Sequence, residues 1–442
     1  MARLPGGIVI VALALGAVSC SSAPEARQGG TAGTSGSAGA AGSPGGAGGT
    51  AGSGMAGSGM AGSGMAGSGV GGTGLGGLGG TPARPVLSDE QARDFTVLAY
   101  LAKTGAVAAP TTDDWDPTEG AGDVASFTPA YTVAEADGTH TSVQAAITEA
   151  ATAGGTDRIF IHVMPGTYRE VVCVPVGAPP ITLYGTGSDP SETTIVYDHL
   201  AGSMVDSVVN PCVNPSGTTY GTGGSATFAV YGSDFHAKNL TISNDADEST
   251  ATGAVQGVAL NTRGDRLVFE DVHLLGNQDT VLVGTTNVGV IQRAYFKNAT
   301  VEGDVDFICG RGTAVFDGGT IRLATDRRAN GNLLAPSTDT RNPYGFLIIG
   351  ATLTAADGAQ AGGMTLGRSW DESQVDVATY TTNVMTGVYP NGQAVIRDST
   401  LGEHVNGSVP WASAATTSRP YRSVPTDTLP ANRLYEFGNT GP

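Results

Sequence analysis

A six-residue pattern recurs through the second half of the chain: aromatic, charged, Asp or Asn, two variable residues, aliphatic. Phe269-Glu270-Asp271-Val272-His273-Leu274 and Phe296-Lys297-Asn298-Ala299-Thr300-Val301 carry it in full. Ala237-Lys238-Asn239-Leu240-Thr241-Ile242 and Phe316-Asp317-Gly318-Gly319-Thr320-Ile321 match it, and Ile348-Ile349-Gly350-Ala351-Thr352-Leu353 is a looser copy. Successive copies are 32, 27, 20 and 32 residues apart. A constant unit with variable insertions is the mark of a solenoid with loops on one side. Strands of four to six residues alternate with Gly, Asn and Asp turns, and long helices are absent, so a parallel β-helix fits better than a helical repeat. A β-sandwich is the alternative, but it leaves the aromatic–Asx register unexplained.

Composition narrows the rest. Of 442 residues, 68 are glycine, and many precede residue 82. The remaining stretch of about 360 residues can form one large domain if it is a repeat fold. A formal charge of −18 argues against nucleic acid as a partner. It also disfavours a fully ionised polyanion, so a nearly neutral form of any such polymer is expected to be preferred.

Residues 1–19 read as an export signal. Arg3 is the positive start, and the apolar run from Ile8 to Val18 is too short to span a membrane. Ala17-Val18-Ser19-Cys20 resembles a bacterial lipoprotein signal, with Cys20 lipidated after cleavage; an ordinary secretory signal is the other reading. Residues 20–82 are low in complexity, with Ala-Gly-Ser-Gly-Met units at 51–65, and are expected to form a flexible tether. The expected location is a bacterial outer membrane or cell surface, otherwise the medium, with membrane contact only through the lipid.

Residues 83–130 read as an N-terminal extension. Ser88-Asp89-Glu90-Gln91 predicts a capping box for a helix running to about Lys103. Pro110 to Gly122 reads as a surface loop. The folded domain spans 131–442. Thr141 to Ala153 predicts a helix that caps the first open coil, with Val143, Ala146, Ile147 and Ala150 on one face. Ile159 to Val163, Val171 to Val174 and Ile181 to Tyr184 read as strands, and Pro165 to Glu170 as a turn. Outside the cell Cys173 and Cys212 are able to pair. Cys309 reads as a free, small packing residue. No cysteine or histidine spacing marks a metal site.

Two stretches hold the candidate chemistry: Gly276-Asn277-Gln278-Asp279-Thr280 and Gly303-Asp304-Val305-Asp306-Phe307-Ile308-Cys309-Gly310. They occupy the same place in successive repeats, so Asp279 and Asp306 are expected to stack about 5 Å apart, the spacing of neighbouring strands. Two like charges so close cannot both ionise easily, which supplies a carboxylate and a carboxylic acid together. Asp is also common at turns for purely structural reasons. Gln256 and Gln278 offer amide donors for an oxyanion, although Gln256 equally fits a side-chain ladder. Arg368 and Trp370 share a strand face. Arg368 is suited to clamping a carboxylate and Trp370 to stacking on a sugar; a surface arginine and a core tryptophan are the plain alternative. No nucleophile elbow or phosphate loop is present.

These residues resemble the pectin methylesterase (pectinesterase) family over roughly 130–437. The resemblance rests on Pro165-Gly166-Thr167-Tyr168-Arg169-Glu170, Gly276 to Thr280, Val305 to Gly310 and Leu366 to Trp370, all in the family's order. The lipoprotein start, Arg368-Ser369-Trp370-Asp371 and Asn391-Gly392-Gln393-Ala394-Val395-Ile396 resemble its bacterial outer-membrane lipoprotein branch. Some members there have lost the acidic pair and are described as acyl-CoA thioesterases. The resemblance implies a right-handed, single-stranded parallel β-helix, all-β apart from its cap. It implies methyl-ester hydrolysis of polygalacturonate (pectin) by a monomer without metal or cofactor. Asp306 would be the nucleophile, Asp279 the acid and then base, Gln256 and Gln278 the oxyanion donors, Arg368 the partner of Asp306, and Trp370, Val305 and residue 309 substrate contacts. The family usually has Phe where Cys309 stands, so one sugar contact is altered. Relatives often continue past the position of Pro442, so a shortened tail is expected. An esterase of another acyl group and a silent polysaccharide-binding β-helix are the competing functions.

Overall fold

The recurring Asx position is a corner of the backbone. Asn239, Asp271 and Asn298 have φ of 53°, 51° and 52°, and Gly318 and Gly350 take the same place at 69° and 66°. Left-handed backbone is costly for most side chains and least so for Gly, Asn and Asp. That restriction writes the pattern into the sequence. In the computed structural model, which describes residues 84–442 apart from 216, 249, 250 and 252, each such corner turns the chain from one sheet into the next. The expected export signal, glycine-rich tether and Cys20 lipidation fall outside the described residues.

The strands form three parallel sheets of ten, eight and seven strands. One coil takes a strand from each, as in Arg293–Lys297, Thr300–Gly303 and Val305–Gly310. Ala237 pairs with Phe269, Phe269 with Phe296, Phe296 with Phe316 and Phe316 with Ile348. These offsets are the spacings of the repeat. The fold is therefore a parallel β-helix. Inside it Phe269, Phe296 and Phe316 stack with centroids 4.9 and 4.3 Å apart and planes within 12° and 7°. Offset-stacked rings one above another suit a core that repeats every coil.

The first coil is closed by the helix Val143–Ala153, which buries Val143, Ala146, Ile147 and Ala150. Glu170 sits at its N-terminus and accepts hydrogen bonds from Val143 N, Gln144 N and Ser142 Oγ at 2.8, 2.9 and 2.8 Å. An anion there satisfies donors that the helix leaves unpaired. The cap is thus bolted to the coil it covers.

Three local expectations are corrected. The single helix expected from Ser88 to Lys103 is two, Asp89–Ala92 and Val97–Leu101, because Thr96 accepts from Ala99 N and caps a new start. The capping box at Ser88 does form. Gly166–Arg169, expected as a turn, is a strand paired with Thr193–Tyr197; that partner is too distant in sequence for a local turn signal to show. The start of the loop expected from Pro110 to Gly122 is instead part of a strand, Ala109–Thr112, which pairs antiparallel with Lys103–Ala106.

Cys173 and Cys212 form a disulfide that ties the strand Val172–Val174 to the long segment after Leu200. Cys309 is disulfide-bonded too, so the expectation of a free thiol does not hold. Apolar surroundings report burial, whereas bonding depends on which sulfur the fold brings into reach.

Candidate active site

The two acidic stretches are zipped together by backbone bonds. Asp304 N donates to Asn277 O at 3.0 Å, and Asp279 N donates to Val305 O at 3.1 Å. Val281 pairs with Ile308 and Leu282 with Cys309. The same offset of 27 residues sets Asp279 beside Asp306 on adjacent coils. Thr280 Oγ1 braces the first turn by donating to Glu302 O at 2.9 Å. Close approach is needed nearby: a Cβ on Gly331 would lie 1.8 Å from Asp304 O. Only glycine allows the next coil to pack that tightly.

Both aspartates are left-handed, with φ of 63° and 49°, and both are fully buried. Neither conformation belongs to the corner ladder. Aspartate tolerates this conformation; what makes the pair a candidate site is that two acids lie adjacent and fully buried. Arg368 grips Asp306 in a two-point fork, Nε to Oδ1 at 2.9 Å and Nη2 to Oδ2 at 2.7 Å. Arg368 follows the strand Met364–Gly367, two places along the third sheet from Asp306's own strand. Its N–H donates to Leu334 O at 2.8 Å, which carries the side chain back across the intervening coil.

Gln256 and Gln278 are both buried, at 4% and 7% exposure. Gly257 N donates to Gln278 O at 3.1 Å, so the two amides lie on neighbouring coils. Trp370 is 3% exposed and packs with Leu282, Cys309 and Ala335 on the outer face of the third sheet. Cys309 and Val305 are buried at 0% and 2%, and so back the face without offering it appreciable surface.

Sequence reading missed a second polar cluster beside the first. Arg327 forks onto Asp304 at 2.7 and 2.8 Å, and its Nη2 lies 3.4 Å from Gln278 Oε1. Asn277 Nδ2 donates to Glu248 at 2.7 Å. Burial pushes the Glu248 carboxyl up to about 7, with Arg327 and Asn277 opposing and the Asp304 charge adding to it. Arg327 lies in the loop between Thr320–Leu323 and Gly331–Pro336. No repeat register passes through such a loop, so only the charged run Asp326-Arg327-Arg328 hinted at it.

Fold and site together define a class: a parallel β-helix bearing two buried aspartates on adjacent coils, one of them forked by arginine. Residues 130–399 match the family model described as Pectinesterase. A pectinesterase of Ralstonia nicotianae is 46% identical over 369 residues, covering 82% of this chain and 91% of that protein. The structure of rice weevil pectin methyl esterase superposes with a TM-score of 0.69 at 30% identity, covering 82% of this chain and 98% of that one. The structure of Escherichia coli YbhC superposes at 0.68 and 30% identity, covering 83% and 96%. The chain belongs to the pectinesterase family, enzymes that hydrolyse carboxylic esters.

Proposed function

We propose that the protein hydrolyses the methyl esters of polygalacturonate, releasing methanol and leaving the free acid. The observation that carries this reading is Asp306, buried, beside Asp279 and held by the Arg368 fork. A guanidinium at two points favours the ionised carboxylate. Asp279, next to that charge, retains a proton more easily.

In the first step an oxygen of Asp306 attacks the ester carbonyl, and the carbonyl oxygen becomes an oxyanion. The amides of Gln256 and Gln278 donate to it. Arg327, near Gln278 Oε1, favours the amide orientation that presents NH₂ to the site. The oxyanion collapses, the C–O bond to methanol breaks, and Asp279 gives its proton to the leaving oxygen. An anhydride between Asp306 and galacturonate remains. Asp279, now a carboxylate, takes a proton from water; that water attacks the galacturonate carbonyl and frees Asp306. Trp370, largely buried, meets the sugar only through the edge that lines the neighbouring cleft.

Methanol release from highly methylated pectin by the purified protein, beside Asp306→Ala, tests this. Release by the unsubstituted protein alone supports both the esterase and its nucleophile. Absence of release from folded protein overturns the reading and makes acyl-CoA hydrolysis the next assay. Export directed by residues 1–19 is part of the same proposal; recovery of the native chain outside the cytoplasm, and retention inside of a chain lacking residues 1–19, would support it.

A further inference from the structure

The Trp370 face runs into a cleft of about 410 Å³ whose lining does not include the aspartates. Its charged lining is Arg263, Arg311 and Glu372. Arg311 is already paired with Glu372, which also accepts from Ser337 Oγ at 2.9 Å. Arg263 is different. Its Nη1 donates to Thr285 O at 3.0 Å, Nε lies 3.4 Å from Asn261 Oδ1, and the Tyr231 ring is 5.9 Å from its guanidinium carbon. Among the described residues no carboxylate comes within 4 Å of it. It stands half-buried in a chain of net charge −18 with no counter-ion of its own.

A partly desolvated cation without a partner is unfavourable, and an arriving anion relieves that cost. The guanidinium offers a planar fork suited to a carboxylate. Arg263 follows the strand Leu260–Thr262, two places along the sheet from Val305–Gly310. That is about 10 Å across the strands, and about 13 Å separates the two ends of the strand direction. A polymer occupying the reacting site is long enough to span such a distance.

We propose that Arg263 binds a free carboxylate of the polygalacturonate chain, some sugar rings from the ester being cleaved. This rests on the pectin methylesterase reading. The net charge still repels densely ionised chains, so mixed methylation, with an acid at the Arg263 position, makes the best substrate. This changes the simple expectation from charge alone.

The test compares the native protein with Arg263→Gln and Arg263→Lys. Methanol release is followed on half-methylated and on fully methylated pectin. Arg263→Gln should raise KM on the half-methylated polymer at least about tenfold more than on the fully methylated one, the size expected for losing a charged hydrogen bond. Arg263→Lys should recover part of that difference. An equal change on both polymers, or no change, overturns the proposal. If the native protein releases no methanol at all, the esterase reading fails by itself. Calorimetric binding of de-esterified oligogalacturonate then decides: binding weakened at least about tenfold in Arg263→Gln supports the carboxylate site, and equal binding refutes it.

Discussion

Arg368 and Asp306 are 62 residues apart in sequence and meet through two parallel hydrogen bonds, 2.9 and 2.7 Å, with the carboxylate fully buried. The arginine crosses one coil to reach it. Geometry and burial make this pair both an electrostatic setting for chemistry and a structural liability.

Arg368→Met should lower kcat/KM for methanol release by about a hundredfold or more, comparable to losing a preorganised charge in other active sites. It should also reduce unfolding free energy by about 3–5 kcal/mol, because Asp306 is left buried and uncompensated. Arg368→Lys should fail to restore the rate, since a point charge cannot fork a carboxylate. Kinetics and denaturant unfolding on the same samples check both halves; a fully active lysine variant would count against the fork.

Glu248 makes stability depend on pH. Its folded-state value of about 7 lies above the ordinary 4.5. Between those values the folded chain keeps a proton that the unfolded chain has released. Its contribution is fully present below about 4.5 and is lost as pH rises through about 7. The loss is on the order of 3 kcal/mol. Glu248→Gln should flatten this part of the stability curve while keeping an acceptor for Asn277. Melting temperatures measured from pH 4.5 to 8 would show equal slopes in both proteins if the idea is wrong.

The position of Trp370 depends on its neighbour. Asp371 and Arg419 are both fully buried, paired at 2.9 and 3.0 Å, and Thr417 donates to the same carboxylate at 2.6 Å. Arg419→Met should cost about 3–5 kcal/mol of stability. Asp371→Asn should raise KM more than it lowers kcat, because it loosens the backbone beside Trp370 and leaves the aspartates in place. Steady-state kinetics separate the two effects, and a pure kcat defect would contradict this.

The disulfide between Cys173 and Cys212 closes a loop of 39 residues. Loop-closure entropy predicts that Cys173→Ser with Cys212→Ser loses about 4 kcal/mol. Cys212 also lines the cleft that holds Arg263. Unfolding with and without reductant measures the first effect, and an unchanged midpoint would show that the bond contributes nothing.

The repeat was legible because one backbone corner demands left-handed φ, and few residues accept it. Asn239, Asp271, Asn298, Gly318 and Gly350 therefore announce the coil and its register. The same periodicity set Asp279 beside Asp306, and the helical period identified the buried face of Val143–Ala153. What lies in the variable loops could not be read this way. Arg327 on Asp304, Asn277 on Glu248 and the lone cation of Arg263 are contacts between coils whose lengths differ, so no fixed spacing encodes them. Local backbone geometry writes itself into sequence one residue at a time. The electrostatics of this site depend on which loops fold back over the third sheet, and only the tertiary structure decides that.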